Sequence, residues 1–135
     1  MNNTNRSWNI LNWNIRGMNS EDKWLALRQK IDESDCNILC LQETKRETFH
    51  TTYIKNFCPN RINKFAFLPS VGASGGLLVA CNGSQFAGEV IAQNRFSLSV
   101  QFTSMLSNQS WIISNIYGPC DPQDKIEFIN WFLNI

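Results

Sequence analysis

A buried β-strand that ends in a carboxylate constrains the fold more than any other feature of the chain. Asn37 to Gln42 form the run Asn-Ile-Leu-Cys-Leu-Gln, which is apolar in its interior, and Glu43 follows directly. A short apolar run bounded by polar residues is typical of a strand that is buried on both faces. In open α/β sheets, ligands lie at the carboxyl ends of the strands. The sequence therefore predicts that Glu43 lies at a ligand-facing edge of a sheet.

The residues before this strand predict another strand and a helix. The segment Trp8 to Asn14 has a strand pattern, and a turn follows it. Ser20 is a good N-cap for a helix over Glu21 to Asp32, because acidic residues follow it and favour a helix N-terminus. Apolar residues recur there at helical spacing at Trp24, Leu27 and Ile31. The chain therefore opens with a βαβ-like unit.

The remaining chain is rich in strand patterns. Five further strands are predicted, at Lys64–Leu68, Gly76–Asn82, Phe86–Ala92, Phe96–Thr103 and Trp111–Ile116. Tight turns at Asn82-Gly83 and Ser107-Asn108 predict an antiparallel meander in the second half. Residues 44–59 predict one short helix, and Asp121 followed by Pro122 predicts the start of a last helix.

Composition excludes several classes of function. The net charge of +1 in 135 residues excludes an overall electrostatic attraction to nucleic acid, so any such contact needs a local patch. The single histidine excludes a His-rich metal site. Apolar runs are too short to span a bilayer, so no membrane association is expected. An odd count of 5 cysteines and a polar segment at residues 1–7 predict an intracellular, reducing location.

Two predicted strands end in polar residues that suit a metal ion. Asn14 ends the first strand, and Glu43 follows the second. Mg²⁺ prefers hard oxygen ligands, usually one or two carboxylates with water and substrate phosphate. From position alone, a second interpretation is favoured: Asn14 caps a turn and Glu43 is a solvated loop residue.

Four motifs that occur in order along the chain favour the first interpretation. They are Asn12-Trp13-Asn14-Ile15-Arg16-Gly17, Leu39-Cys40-Leu41-Gln42-Glu43-Thr44-Lys45, Ser74-Gly75-Gly76-Leu77-Leu78 and Asn115-Ile116-Tyr117-Gly118-Pro119. In this order they resemble the endonuclease/exonuclease/phosphatase superfamily, which includes abasic-site and deoxyribonuclease-I-like enzymes. Within it, the chain is most similar to the endonuclease domain of plant LINE-type (non-LTR) retrotransposons.

The resemblance implies a role for each matching residue. Glu43 corresponds to the metal-binding glutamate, and Asn14 to the asparagine beside the metal and the scissile phosphate. Tyr117 corresponds to an active-site tyrosine whose hydroxyl contacts the phosphate. Arg16 and Lys45 would contact the nucleic-acid backbone. The implied cofactor is Mg²⁺, with Mn²⁺ as an alternative, and the implied partner is DNA in the nucleus.

The resemblance also implies that part of a domain is missing. The implied fold is α/β, a four-layer α/β/β/α sandwich of about twice this length, so residues 1–135 would be its N-terminal part, roughly the first sheet with its helices. The family's Gly-Asp-x-Asn and Ser-Asp-His segments, which activate water, are absent. In addition, Arg16 stands where the family often has Asp or Asn, and Cys120 replaces an asparagine. These departures predict a truncated phosphodiesterase, most similar to a retrotransposon DNA endonuclease, that is inactive alone.

Two alternatives stay open at this point. In the first, the chain is a non-catalytic product, which is either degenerate or acts as a partner-dependent interaction module. In the second, it is a hydrolase of the same superfamily that acts on another phosphoester. A half-domain should also leave one apolar sheet face open, which predicts an exposed patch that includes Phe86, Leu98 and Phe102. The isolated chain would then aggregate or need a partner.

Overall fold

A computed structural model describes residues 9–135, so the predicted strand start at Trp8 and the polar segment 1–7 lie outside the described residues. The described chain forms seven strands and three helices. In chain order these are β1 (Ile10–Asn14), α1 (Glu21–Ser34), β2 (Ile38–Gln42), α2 (Thr51–Ile54), β3 (Ile62–Leu68), β4 (Leu77–Asn82), β5 (Phe86–Asn94), β6 (Ser97–Ser104), β7 (Ser110–Ile116) and α3 (Pro122–Leu133). Every predicted element within these residues is confirmed, with small shifts at the ends.

The first sheet is built around the buried strand β2. Its order is β1-β2-β4-β3, in which β1 and β2 are parallel and the other neighbours are antiparallel. The parallel pair is joined by α1, which confirms the βαβ opening. The Ser20 hydroxyl accepts from the backbone N–H of Lys23 at 3.4 Å and so caps α1. Leu27 and Ile31 are fully buried in the core cluster between α1 and this sheet.

The second sheet packs face to face on the first. It is an antiparallel meander, β5-β6-β7. Along β6, Leu98, Val100 and Phe102 are buried while the alternate residues are more exposed, so one face of the strand is apolar. These side chains form one core cluster with Leu77 and Val79 of β4. Burying both apolar faces against each other removes them from water, which stabilises the sandwich.

Two sequence predictions about this architecture are wrong in detail. The chain contributes strands to both sheets rather than roughly to the first, because β3 and β4 join β2 and do not continue into the meander. The predicted open apolar face is covered at Phe86, Leu98 and Phe102, which are each at most 1% exposed, whereas Val90 on β5 is 42% exposed. The meander has its own apolar face, so the two sheets cover each other.

The last helix, α3, packs on the rest of the protein through one of its faces. Asp121 accepts from the backbone N–H of Gln123 at 2.8 Å, which confirms the predicted N-cap. Phe128 and Trp131 pack on Phe96 at the start of β6. Other apolar side chains of α3 lie in solvent, among them Ile126, Ile129 and Leu133. That the isolated chain aggregates or needs a partner stays a prediction. No helix among residues 9–135 is long and apolar enough to cross a membrane.

The five thiols should differ sharply in reactivity. Cys120 is exposed, whereas Cys36, Cys40, Cys58 and Cys81 are buried. Burial raises the pKa of Cys40 and of Cys58 to about 12, and that of Cys81 to about 11, so their reactive thiolates are scarce near neutral pH. With Ellman's reagent at pH 8, we expect one fast thiol and four that react after unfolding. The variant Cys120→Ser should lose the fast phase; a second fast thiol would contradict the buried assignment.

Candidate functional site

The carboxyl ends of β1 and β2 bring together the two residues predicted to bind a metal ion. Asn14 and Gln42 are register partners at the ends of the two strands, and Glu43 follows Gln42. The Asn14 Nδ2 donates to Glu43 Oε2 at 2.6 Å. The predicted proximity of Asn14 and Glu43 is therefore confirmed. We call this edge of the sandwich, with Asn14, Glu43, Gly75, Gly76 and Tyr117, the rim.

The backbone at the rim is held in an unusual conformation. Glu43 has φ 54°, and Arg16 and Lys45 are also left-handed, with φ 54° and 56°. The Gly17 N–H donates to the Glu43 carbonyl at 2.7 Å and joins the β1–α1 loop to the turn after β2. Left-handed backbone costs on the order of 1–3 kcal/mol per non-glycine residue and persists where the surroundings enforce it, often at functional sites. No sequence pattern predicted this strain.

Gly75 and Gly76 support the turn that carries Glu43. The Thr44 N–H donates to the Gly76 carbonyl at 3.1 Å, and the Lys45 N–H donates to the Gly75 carbonyl at 2.9 Å. Gly76 has φ 93°, and a Cβ there would overlap the hydroxyl oxygen of the fully buried Thr44. This Gly-rich segment leads directly into β4, which begins at Leu77. Its contact with Thr44 and Lys45 depends on the tertiary structure.

Tyr117 reaches the same rim from the second sheet. It follows β7 by one residue, and its backbone N–H donates to the Phe96 carbonyl at 2.8 Å. Its ring lies over Gly75, where a Cβ would be 3.5 Å from Cε2. Burial, and secondarily the Glu43 carboxylate, raise the pKa of the Tyr117 phenol above its usual value. The phenol therefore stays protonated at neutral pH and can donate a hydrogen bond to an anion.

The cationic residues near the rim divide into two kinds. Arg16 and Lys45, predicted to contact nucleic acid, are both exposed on the loops that flank Glu43. Arg46 is different, because its guanidinium lies 3.6 Å from the centre of the Tyr53 ring and donates to Asn19 Oδ1 at 2.9 Å. Arg46 is therefore held by contacts within the protein. It links the loop before α1 to the loop after β2.

Sequence reasoning assigned no role to Asn115, which lies beneath the rim. It is 3% exposed and bonds to strands of the first sheet through its side chain. A signal was present in the strand pattern, since Trp111, Ile113 and Asn115 occupy every second position of β7 and so lie on one face. An amide that continues an inward-facing apolar series needs buried hydrogen-bond partners.

The donor set at the rim fits magnesium better than zinc. Glu43 offers a carboxylate and Asn14 a carboxamide oxygen, both of which are hard ligands. No group of three His, Cys, Asp or Glu residues that could hold a metal ion occurs within residues 9–135. His50 is exposed and occupies the N-cap position of α2. One carboxylate with water and substrate phosphate is a usual environment for Mg²⁺, whereas zinc sites need three or four protein ligands.

Known proteins show the same fold. No protein-family model and no curated protein sequence matches the chain. An AP endonuclease from Leishmania major superimposes with a TM-score of 0.66 at 14% identity, over 93% of this chain and 45% of that one. The catalytic domain of Xenopus laevis APE2 gives 0.58 at 19% identity, over 90% of this chain and 48% of that one.

These likenesses confirm the predicted fold class. The chain has the α/β fold of deoxyribonuclease-I-like AP endonucleases, with two packed sheets and flanking helices. It spans less than half the length of these two proteins. The fold therefore matches one part of a larger sandwich.

Proposed function

We propose that the chain is the N-terminal part of a Mg²⁺-dependent phosphodiesterase domain, most similar to a retrotransposon DNA endonuclease. The observation that carries this proposal is the contact of Asn14 with Glu43 at 2.6 Å. It occurs at the carboxyl ends of two parallel strands, where α/β folds bind ligands. The fold likeness to two AP endonucleases and the four ordered motifs support the same assignment.

The residues of the rim suit a phosphodiester. Glu43 and Asn14 would hold Mg²⁺, which when bound stabilises negative charge that develops on the phosphate and the leaving oxygen. The Tyr117 phenol, kept protonated, would donate to a phosphate oxygen. Arg16 and Lys45 would attract the neighbouring phosphates because both cations are exposed beside Glu43. Mn²⁺ would substitute for Mg²⁺ on the same oxygen ligands.

The substrate follows from the resemblance and from the charge around the rim. DNA is the proposed partner, which would place the protein in the nucleus. A different phosphoester is the second candidate, because Asn14, Glu43 and Tyr117 recognise a phosphate and contain no group that selects a base. Competition between plasmid DNA and a phosphoinositide for the same rim would separate these two substrates.

A non-catalytic role for the chain alone is favoured by one observation. Glu43, the carboxylate at the rim, is assigned to the metal ion, and the amide of Asn14 and the phenol of Tyr117, whose pKa is raised, do not take a proton from water at neutral pH. We propose that residues 1–135 bind a metal ion and phosphate but need further groups for hydrolysis.

Removing the Glu43 charge should weaken metal binding without unfolding the protein. In Glu43→Gln, we expect Mn²⁺ and Mg²⁺ to bind at least about tenfold more weakly, as measured by isothermal titration calorimetry. Mutation of a residue that only hydrogen-bonds to a metal ligand already lowers metal affinity by about 10–100-fold. Glu89→Gln is the matched control, because Glu89 is an exposed carboxylate on β5 of the second sheet. Equal binding by Glu43→Gln and the unaltered chain would refute the metal site.

A further inference from the structure

Residues two positions away from the rim form a second layer beneath it. Asn12 precedes Asn14 by two residues, Leu41 precedes Glu43 by two, and Leu78 follows Gly76 by two. In the second sheet, Asn115 precedes Tyr117 by two. Asn12 and Asn14 both belong to β1, in which residues two apart lie about 7 Å apart on the same face; Glu43, Gly76 and Tyr117 each adjoin the end of their strand. Contacts within the lower layer therefore bear on the placement of the rim residues above.

Asn115 connects the two sheets within this lower layer. Its Nδ2 donates to the carbonyl oxygens of Leu41 and Leu78, each at 3.0 Å, so one side chain of β7 bonds to both β2 and β4. Its Oδ1 accepts from Gln42 Nε2 at 2.7 Å. The two amide hydrogens and the carbonyl oxygen of this side chain are thus all used.

Gln42 extends the connection to the edge strand. Its Nε2 also donates to Asn12 Oδ1 at 2.5 Å. A chain of carboxamides, Asn12, Gln42 and Asn115, therefore crosses β1, β2 and β7 at the end of the sandwich that carries Asn14, Glu43 and Tyr117. We call these three residues the amide chain.

Apolar packing alone would not set the register of the two sheets at this end. The neighbouring core contacts, among Cys40, Leu77 and Ile113, are non-directional and allow sliding. Hydrogen bonds inside a dry core are directional, and an unsatisfied buried amide costs about 1–3 kcal/mol, which penalises any displaced arrangement.

We propose that Asn115 is a positioning residue that holds β7 against β2 and β4 and thereby places Tyr117 over Gly75, beside Glu43. The consequence for phosphate recognition rests on the proposed function. The placement itself does not, because it concerns the distance between Tyr117 and Gly75 in the protein without a ligand.

The placement can be measured by NMR in the Asn115→Leu variant, which keeps a similar branched shape and removes the amide. The unaltered chain should show a nuclear Overhauser effect between the Tyr117 ring and the Gly75 Hα, and assignment is simple because the chain has 2 tyrosines. Asn115→Leu should lose this effect. If the distance between the Tyr117 ring and Gly75 grows by about a third, the effect should weaken at least about fivefold. The contacts of Tyr53 with Trp24 should stay unchanged.

Asn82→Leu is the matched control for a general loss of stability. Asn82 is also a buried asparagine, 7% exposed, but it lies at the opposite end of β4 and bonds to Asn37 and Ser84. It should keep the Tyr117–Gly75 effect. Retention of the effect in Asn115→Leu, or its loss in both variants, would overturn the proposal.

Two further measurements keep the test decisive. If Asn115→Leu does not fold, Asn115→Ala removes the same donors to Leu41 and Leu78 and leaves room for water to pair with their carbonyls; loss of the effect then supports the proposal and retention overturns it. Mn²⁺ titration of the unaltered chain tests the proposed function separately. Absence of Mn²⁺ binding with the effect present would refute the metal site and leave the placement by Asn115 standing.

Discussion

Purified protein of residues 1–135 is expected to show little or no Mg²⁺-dependent nicking of supercoiled plasmid DNA. The rim brings together Asn14, Glu43 and Tyr117, which suit metal and phosphate binding. With Glu43 assigned to the metal ion, neither of the other two groups is a base that activates water, and His50 lies at the start of α2, outside this set. Loss of a general base typically lowers a rate by 10²–10⁴-fold. When several groups act as a unit, removing one costs nearly as much as removing all of them.

Conversion of supercoiled to open-circle plasmid, followed on agarose gels with Mg²⁺ or with EDTA, measures this activity. Glu43→Ala and Glu89→Gln should both equal the unaltered chain at background level. Robust nicking by the unaltered chain that Glu43→Ala abolishes and Glu89→Gln preserves would show that the described residues contain a base that this interpretation has not identified.

Replacing Gly76 by alanine should destabilise the protein by about 2–6 kcal/mol. Two costs add: left-handed backbone for a residue with a Cβ is worth about 1–3 kcal/mol, and overpacking is worth about 1–3 kcal/mol. Gly76 has φ 93°, and its Cβ would overlap the Thr44 hydroxyl oxygen in a fully buried position. Since the free energy of unfolding of a domain is only about 5–15 kcal/mol, this loss would remove a large part of the stability.

Urea unfolding of Gly76→Ala, followed by tryptophan fluorescence, gives the free energy of unfolding. Gly72→Ala separates the two costs, because Gly72 has φ 61° and a Cβ there would meet nothing within 4 Å. It should therefore lose about 1–2 kcal/mol from backbone strain alone. Equal losses for the two variants would show that the overlap with Thr44 is relieved by a small shift and that the turn is not tightly packed.

The local elements were predictable because each depends on neighbouring residues. Ser20 caps α1, and Asp121 with Pro122 begins α3, because their side chains act on the next turn of the same helix. The continuous apolar run of β2 marked a strand buried on both faces, and its residues Ile38 to Leu41 are indeed buried. Asn14 and Glu43 could be placed together because parallel strands joined by a helix bring their carboxyl ends to one edge.

The partition of the strands into two sheets could not be deduced from the sequence. Similar turns follow β4 and β5, so nothing local shows that β4 pairs with β2 whereas β5 begins a separate sheet. The error about the open apolar face followed from this, since Phe102 and Leu98 were assigned to a sheet with no partner. Both are buried because the second sheet of this chain covers the first.

The sequence by itself determined the strands and helices, the βαβ opening and the convergence of Asn14 with Glu43, since these follow from local periodicity, capping and chain connectivity. The tertiary structure decided how the second sheet meets the first, where Tyr117 lies, and which residues hold the rim in place. Gly76 fits against Thr44, and Asn115 bonds to β2 and β4, across separations of 32 to 74 residues along the chain. Contacts of that range depend on packing and on the satisfaction of buried polar groups, which no local pattern encodes.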